Sequence, residues 1–334
     1  MSRESDLIKK ISTVMPRSEH QLNKLFESDA EIIEFGGSRM LFSIDEFSRE
    51  DMMREHDPFT LGWNLAVGGV SDILAAGGRP LFYAHNMTVD KNWTEDYIKS
   101  FSQGVAGVLE KSQTSFMGGD FGRSNIWRYT AAVIGILEGK PLLRSGASAG
   151  DGIYLSGRIG AGNLEAFLKV YSENKGAEKL ARVIRNRFFL RLDEAKLIRK
   201  YAKACTDTSD GVFNALNLLA EMSRTGYEVR DLPYIKTGEV LARMFSIPKT
   251  LLFLGECGEY ELIFTVGTQN EEEFLLEAKN KGMKFFKIGR IREKGRILNE
   301  DNREIDLSSL HVRARDFDDM REYIKVLVDF MEES

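Results

Sequence analysis

Gly118-Gly119-Asp120-Phe121-Gly122-Arg123 is the stretch from which the rest of the chain is read. It follows Thr114-Ser115-Phe116-Met117, a short β-prone run, so it is expected to leave a strand end as a tight loop. Two glycines let the backbone approach a ligand closely, and Asp120 offers a carboxylate to a hard cation. Arg123 adds a counter-charge suited to phosphate. Alone, Gly-Gly-Asp is a common turn. It gains meaning because short motifs at Asp29, Asp45, Asp72 and Asp207/Asp210 have the same character.

Upstream, residues 31–35 read as a strand, Gly36-Gly37-Ser38 as a hairpin turn, and residues 40–44 as the return strand, closed by Asp45. Asp29 lies two residues before the first strand, so the hairpin can bring both carboxylates to one edge; two solvated turn acids are the plainer alternative. Asp57-Pro58 is a helix start. The helix should run through Leu61, Leu65, Val67, Val70, Ile73 and Leu74 to Gly77-Gly78. Asp72 sits inside this apolar stretch and must be solvated, paired or metal-bound, because an unpaired buried carboxylate is costly. Gly68 and Gly69 weaken the helix, which implies that another backbone or a ligand packs close. A strand at 82–87, a helix at 94–111 and a strand at 129–137 complete an α+β order with a mixed or antiparallel sheet.

Glu138-Gly139-Lys140-Pro141 marks a break, dividing the chain into residues 1–140 and 141–334. A small-residue loop from Arg144 to Gly152 leads into a strand at 153–156 and a helix near 164–171. A basic helical region follows over 177–202, broken near 187–190. Thr206-Asp207-Thr208-Ser209-Asp210-Gly211 then precedes a helix at 212–223. Helix capping accounts for one of the two acids. Two acids and two hydroxyls packed together at a helix start suit metal-bridged phosphate oxygens. A strand at 227–229, a glycine-interrupted turn into another strand over 253–266, a helix at 272–281, a strand at 285–291 and a surface helix within 316–334 finish the chain.

The bulk properties exclude several classes. A length of 334 residues fits about two domains. Net charge is −5 and no Lys/Arg block stands out, so nucleic-acid binding is not expected. No apolar run approaches membrane-spanning length, and Met1 to Lys10 has no signal-peptide core, so a cytoplasmic location is expected. Cys205 and Cys257 are the only cysteines, which argues against a disulfide framework.

If the acid motifs converge, they form a pocket that cannot keep every charge unless cations fill it. Without a His/Cys ligand set the cation should be hard, so Mg²⁺ with bound phosphates. ATP held this way, with Arg144 or Arg123 as charge partner, gives phosphoryl transfer by positioning and electrostatics. The P-loop and protein-kinase motifs are both missing.

The order and spacing of these motifs resemble the thiamine-monophosphate kinase family of the aminoimidazole-ribonucleotide-synthetase-like (PurM-like) superfamily. Ser28-Asp29-Ala30 stands for the family's Asp-Asp-Ala, and Ser43-Ile44-Asp45 for its Thr/Ser-Thr-Asp. Leu65 to Ile73 matches Leu-Ala-Val-Asn-Leu-Ser-Asp-Ile, allowing one extra glycine. Gly118-Gly119-Asp120, Arg144-Ser145-Gly146-Ala147, Asp207-Thr208-Ser209-Asp210-Gly211 and Tyr260-Glu261-Leu262 follow in family order. The resemblance implies a two-domain PurM-like fold, with N-terminal domains pairing into a homodimer and a C-terminal α/β sandwich. It implies Mg²⁺ at Asp29, Ser43, Asp45, Asp72, Asp120, Asp207 and Asp210, and ATP at Gly119, Asp120, Arg144 and Ser209. Asp120 and Asp210 are then the catalytic acids. The γ-phosphoryl group would pass directly to the phosphate of a small acceptor.

The departures are specific. Ser28, Ile44 and Ala215 stand where the family has metal-binding Asp, Thr and Asp. On the substrate side, Asp51-Met52-Met53 replaces Val-His-Phe, and Gly-Gly-Glu-Asp-Tyr-Glu-Leu becomes Glu256-Cys257-Gly258-Glu259-Tyr260-Glu261-Leu262, placing Met52 and Gly258 at substrate positions. The family's late aromatic-Asp-His-Phe is not recognisable in Arg315-Asp316-Phe317-Asp318. A related ATP-dependent enzyme with another acceptor, and a non-catalytic nucleotide-binding protein, are the alternatives.

Overall fold

The computed structural model describes residues 3–48, 56–170, 176, 180, 186–245 and 248–333. Met52 and its neighbours Asp51 and Met53 lie outside the described residues. The first half begins with α1 (Arg3–Val14), followed by the hairpin β1 (Glu31–Phe35) and β2 (Ser38–Ser48). Helix α2 (Pro58–Ala75) comes next, then β3 (Gly78–Asp90), α3 (Glu95–Ser112), β4 (Ser115–Ser124) and β5 (Arg128–Leu137). These strands form a five-stranded sheet in the order β1-β2-β5-β3-β4. It is mixed, as the sequence order requires: β3 and β4 run parallel and the other neighbours antiparallel.

Helix α2 is the centre of the molecule. Asp57 caps it by accepting the Thr60 N–H at 3.2 Å. Every residue from Thr60 to Ala75 is buried, because the helix is apolar on all sides and lies between two packed layers. It packs along α3, rests on the five-stranded sheet and meets the second half of the chain. The closest approach along the helix is at Gly62, where a Cβ would lie 2.1 Å from the Phe101 carbonyl oxygen of α3; at Gly68 and Gly69 the neighbours are side chains rather than backbone or ligand. A Cβ at Gly68 would come within 2.9 Å of the Phe47 ring, and one at Gly69 within 2.8 Å of the Ala131 methyl.

The second half contains β6 (Gly152–Leu155), α4 (Ala161–Val170), α5 (Leu192–Tyr201), β7 (Ala202–Asp207), α6 (Gly211–Ser223), β8 (Gly226–Arg230), α7 (Lys236–Met244) and α8 (Leu251–Leu254). It ends with β9 (Leu262–Val266), α9 (Thr268–Asn280), β10 (Phe286–Arg292), β11 (Arg296–Glu300), β12 (Arg303–Asp306) and α10 (Met320–Glu333). Among the described residues the sheet order is β12-β11-β8-β10-β6-β9-β7. One sheet face packs with α4, α6 and α8 around Leu155, Leu216, Phe253 and Ile263. On the other face, Tyr154, Phe264 and Phe274 continue the core that surrounds α2. The sheet is therefore covered on both sides, an α/β sandwich.

Two sequence expectations change here. The basic helical region over 177–202 ends in a strand: β7 begins at Ala202 and delivers Asp207 at its last position. The C-terminal helix is not merely a surface element, because Tyr323, Ile324, Leu327 and Met331 are buried. Its charged residues hid an apolar stripe at helical spacing.

Candidate active site

Four carboxylates meet where β2, α2 and β7 come together. Asp29, Asp72 and Asp207 each offer an oxygen such that all three lie within 4.8 Å of one another. Asp45 joins them by sharing a hydrogen bond with Asp72, which requires a proton between two groups that otherwise only accept. The Ser43 hydroxyl donates to Asp72 Oδ2. Strand β2 runs to Ser48, so Asp45 lies inside it rather than closing it. Ser43 and Asp45, two residues apart on the strand, both face α2. The sequence brings Asp72 to them because α2 lies directly on that sheet face.

Burial and mutual repulsion control the charge state. Asp72 is held well above the usual carboxylate range by burial, then by the charges of Asp45, Asp207 and Asp29. Burial and Asp29 push Asp207 up to about 7, and burial raises Asp45. Two oxygens, Asp29 Oδ2 and Asp207 Oδ2, are buried with no hydrogen-bond partner among the described residues. Buried acceptors are almost always satisfied. Two orphaned carboxylate oxygens beside a third acid are therefore a donor set that fits a hard divalent cation.

Arg144 lies beside this cluster. Its Nη2 donates to Asp29 Oδ1 at 2.8 Å, its Nε to Thr206 Oγ1 at 3.3 Å and its Nη1 to the Phe26 carbonyl at 3.4 Å. Thr206 also donates to Asp29 Oδ1, at 2.8 Å. Phe26 adopts a left-handed backbone, φ 64°, uncommon for a bulky residue. A cleft of about 650 Å³ opens from Arg144 and Asp207 past Ser209 and Asp210 to Phe213, Arg296 and Arg313, with Ser5 and Ile8 of α1 on its wall. That volume suits a nucleotide-sized ligand.

The turn after β7 carries Ser209 and Asp210. The Ser209 N–H donates to Asp207 Oδ1 at 3.2 Å. Asp210 occupies the N-cap position of α6 but makes no side-chain cap; Arg313 Nη2 instead donates to its Oδ2 at 2.8 Å. Gly258 supports this turn from behind, donating its N–H to the Ser209 carbonyl at 3.1 Å. A Cβ at Gly258 would lie 1.5 Å from the Thr208 carbonyl oxygen. The position that the resemblance assigns to a substrate-contacting Glu is thus backbone only. Gly258→Ala is expected to destabilise the protein by about 3 kcal/mol and to displace the turn that carries Ser209 and Asp210. An unchanged melting temperature would contradict this packing.

Gly119 and Asp120 differ from expectation. They are not in a loop but inside β4, an edge strand, where Gly118 sits at φ 113° beside an irregularity in the β3 pairing. Gly119 aligns with His85, Ala131 and Asp45 across the sheet. Three strand spacings put it about 14 Å from Asp45. Asp120 aligns with Asn86, Thr130 and Glu46, on the sheet face opposite α2. Within one chain it does not reach the four-acid cluster. Arg123 is also on β4, exposed and away from the cleft. Glycine-rich sequence reads as a turn, but a parallel partner in β3 holds it extended.

Sequence reasoning missed Thr206, Phe26 and Arg313. Thr206 lay in the motif but without an acid's signal, and Phe26 and Arg313 come from segments with no periodic or motif pattern of their own.

The fold and acid site define an AIR synthase related protein: the family's N-terminal domain model matches residues 27–137 and its C-terminal domain model residues 148–298. The thiamine-monophosphate kinase of Buchnera aphidicola subsp. Schizaphis graminum is 30% identical over 258 residues, 74% of this chain and 78% of its own length. That of Bacillus subtilis is 30% identical over 251 residues, covering 71% and 74%. A solved structure of AaThiL complexed with AMPPCP and TMP superposes with a TM-score of 0.71 at 25% identity, covering 89% of this chain and 92% of that one. The chain belongs to the thiamine-monophosphate kinase family.

Proposed function

We propose that this protein transfers the γ-phosphoryl group of ATP to the phosphate of thiamine monophosphate, giving thiamine diphosphate and ADP. The observation that carries the reading is the buried cluster of Asp29, Asp72 and Asp207 with its two orphaned oxygens, beside Arg144 in the cleft. Family membership supports the acceptor, and so does the likeness to a structure holding AMPPCP and TMP.

Asp29, Asp45, Asp72 and Asp207 would hold Mg²⁺, with Ser43 orienting Asp72. Bound there, Mg²⁺ would neutralise phosphate charge and favour the ionised forms of Asp45, Asp72 and Asp207. Arg144, fixed by Asp29 and Thr206, and the Ser209 turn would position the ATP phosphates. An oxygen of the acceptor phosphate attacks the γ-phosphorus, the bond from that phosphorus to the β,γ-bridging oxygen breaks, and ADP leaves. The nucleophile is already an anion, so no general base is needed; positioning and charge neutralisation supply the rate.

We assign the two halves, 1–140 and 141–334, as the domains of this machine and place the protein in the cytoplasm as a homodimer. No helix among the described residues is long and apolar enough to cross a membrane. The sheet face opposite α2 supports dimerisation: Phe42, Ile44, Phe82 and Ile134 lie on it without helical cover, with Ile44 60% exposed. A contiguous apolar face of this kind marks an interaction surface.

Incubation with Mg-ATP and thiamine monophosphate is expected to yield thiamine diphosphate by chromatography. Nucleotide binding without product would sink the assignment of the acceptor and leave a related enzyme with another acceptor. No Mg²⁺-dependent nucleotide binding at all would leave the non-catalytic reading.

A further inference from the structure

Asp210 already has a cation, as Asp29 has Arg144, but unlike Asp29 and Asp207 it has no buried carboxylate oxygen left without a partner. Arg313 Nη2 lies 2.8 Å from Asp210 Oδ2, and its Nε lies 2.9 Å from Glu256 Oε1. The Asp210 side chain is 50% exposed and that of Glu256 only 9%. The guanidinium is therefore clamped between a rim carboxylate and a nearly buried one. This is not an ordinary surface pair. Removing Arg313 to admit a metal ion at Asp210 would leave Glu256 buried without its counter-charge, which is strongly unfavourable.

The sequence departures point the same way. Ala215, in the wall of the same cleft, and Ser28, buried beside Asp29, stand where the resemblance puts acids. Glu256, the anchor of Arg313, stands where the resemblance puts glycine. The chain lacks these possible ligands, and an anchored arginine stands beside the acid that remains on the rim.

We propose that Arg313 stands in for a metal ion at Asp210, so that the rim of the phosphate site carries a fixed guanidinium where free acids would hold Mg²⁺. The metal set contracts to the buried acids. Arg313 lines the same cleft as Arg144, and the two cations would both serve the polyphosphate, the planar guanidinium matching phosphate oxygens. Asp210 then acts as a positioning residue for Arg313 rather than as a ligand. This rests on the phosphoryl-transfer reading of the cleft.

The test counts metal ions, not turnover. The full chain is titrated with Mn²⁺, alone and with a non-hydrolysable ATP analogue, and bound ions are counted by electron paramagnetic resonance. Asp210→Asn is expected to bind as many Mn²⁺ ions as the wild type, whereas Asp207→Asn binds fewer. Arg313→Met, which keeps volume without charge, is expected to gain one ion or to bind Mn²⁺ about tenfold more tightly, and Arg313→Lys to behave as the wild type. Loss of an ion in Asp210→Asn would overturn the proposal, and that arm decides even if Arg313→Met fails to fold. Absence of thiamine diphosphate formation would sink the proposed acceptor without changing the ion count.

Discussion

Asp207→Asn is expected to lower turnover about 10²–10³-fold or more while raising the melting temperature of the metal-free protein. The two effects share one cause. Asp207 Oδ2 is buried without a partner, within 4.8 Å of two other carboxylates, so in the absence of a cation its charge is a defect. An asparagine there keeps the acceptor for the Ser209 N–H and can donate its NH₂ to a neighbouring carboxylate. It removes the anion that Mg²⁺ would need.

The pH dependence follows from the same groups. Asp207, at about 7, and Glu259, pushed up to about 8 by burial, have folded pKa values above their unfolded ones; Asp72 and Asp45 are raised as well. Glu259 is outside the cluster, bonded to backbone N–H groups at the start of α4. Across the window between the unfolded and folded values the folded state holds more protons. The stability these groups contribute is therefore fully present below their unfolded pKa values and is lost as pH rises towards 8. For the metal-free wild type the melting temperature should fall between pH 5 and pH 8 by on the order of 5 °C. Mg²⁺ should restore it at pH 8 and do little at pH 5, and Asp207→Asn should flatten both the fall and the Mg²⁺ response. A metal-free protein that grows more stable from pH 5 to pH 8 would contradict the buried cluster.

Much of this site was legible in the sequence, for physical reasons. Asp57-Pro58 and the glycines after α2 fixed where the helix starts and stops, and an acid inside its apolar run could only be paired or functional. The Asp-Thr-Ser-Asp run before α6 was visible because capping explains one acid and not two. Long-range partners were not legible. Nothing near Arg313 shows that it lies against Asp210, 103 positions away, since the pairing depends on how the segment after β12 passes the cleft. The strand character of Gly118 to Asp120 was hidden because local glycine preference is overridden by pairing with β3. Separating Asp210 from the other acids required knowing its neighbours, not its motif.

The position of Asp120 leads to the remaining large expected effect. Asp120 faces away from its own chain's acid cluster, on the sheet face that also carries Phe42, Ile44 and Phe82. If two chains pair through this face, each Asp120 is presented to the partner, and the natural site for it to complete is the partner's. A two-fold interface then gives two composite sites, each with Asp207 from one chain and Asp120 from the other. Asp120→Ala and Asp207→Asn homodimers should both be nearly inactive. Mixed and re-associated, they should regain activity, because each mixed dimer holds one site with both native acids and one with neither. With random pairing about a quarter of wild-type activity should return. Ile44→Glu, placing a charge on the apolar face, should block that rescue and shift the protein towards monomer in sedimentation, while leaving metal binding at Asp29, Asp72 and Asp207 in place. Mixed dimers without activity, formed from chains that demonstrably exchange, would show that Asp120 does not act across this face. Its place on the open side of β4 would then need another cause than catalysis.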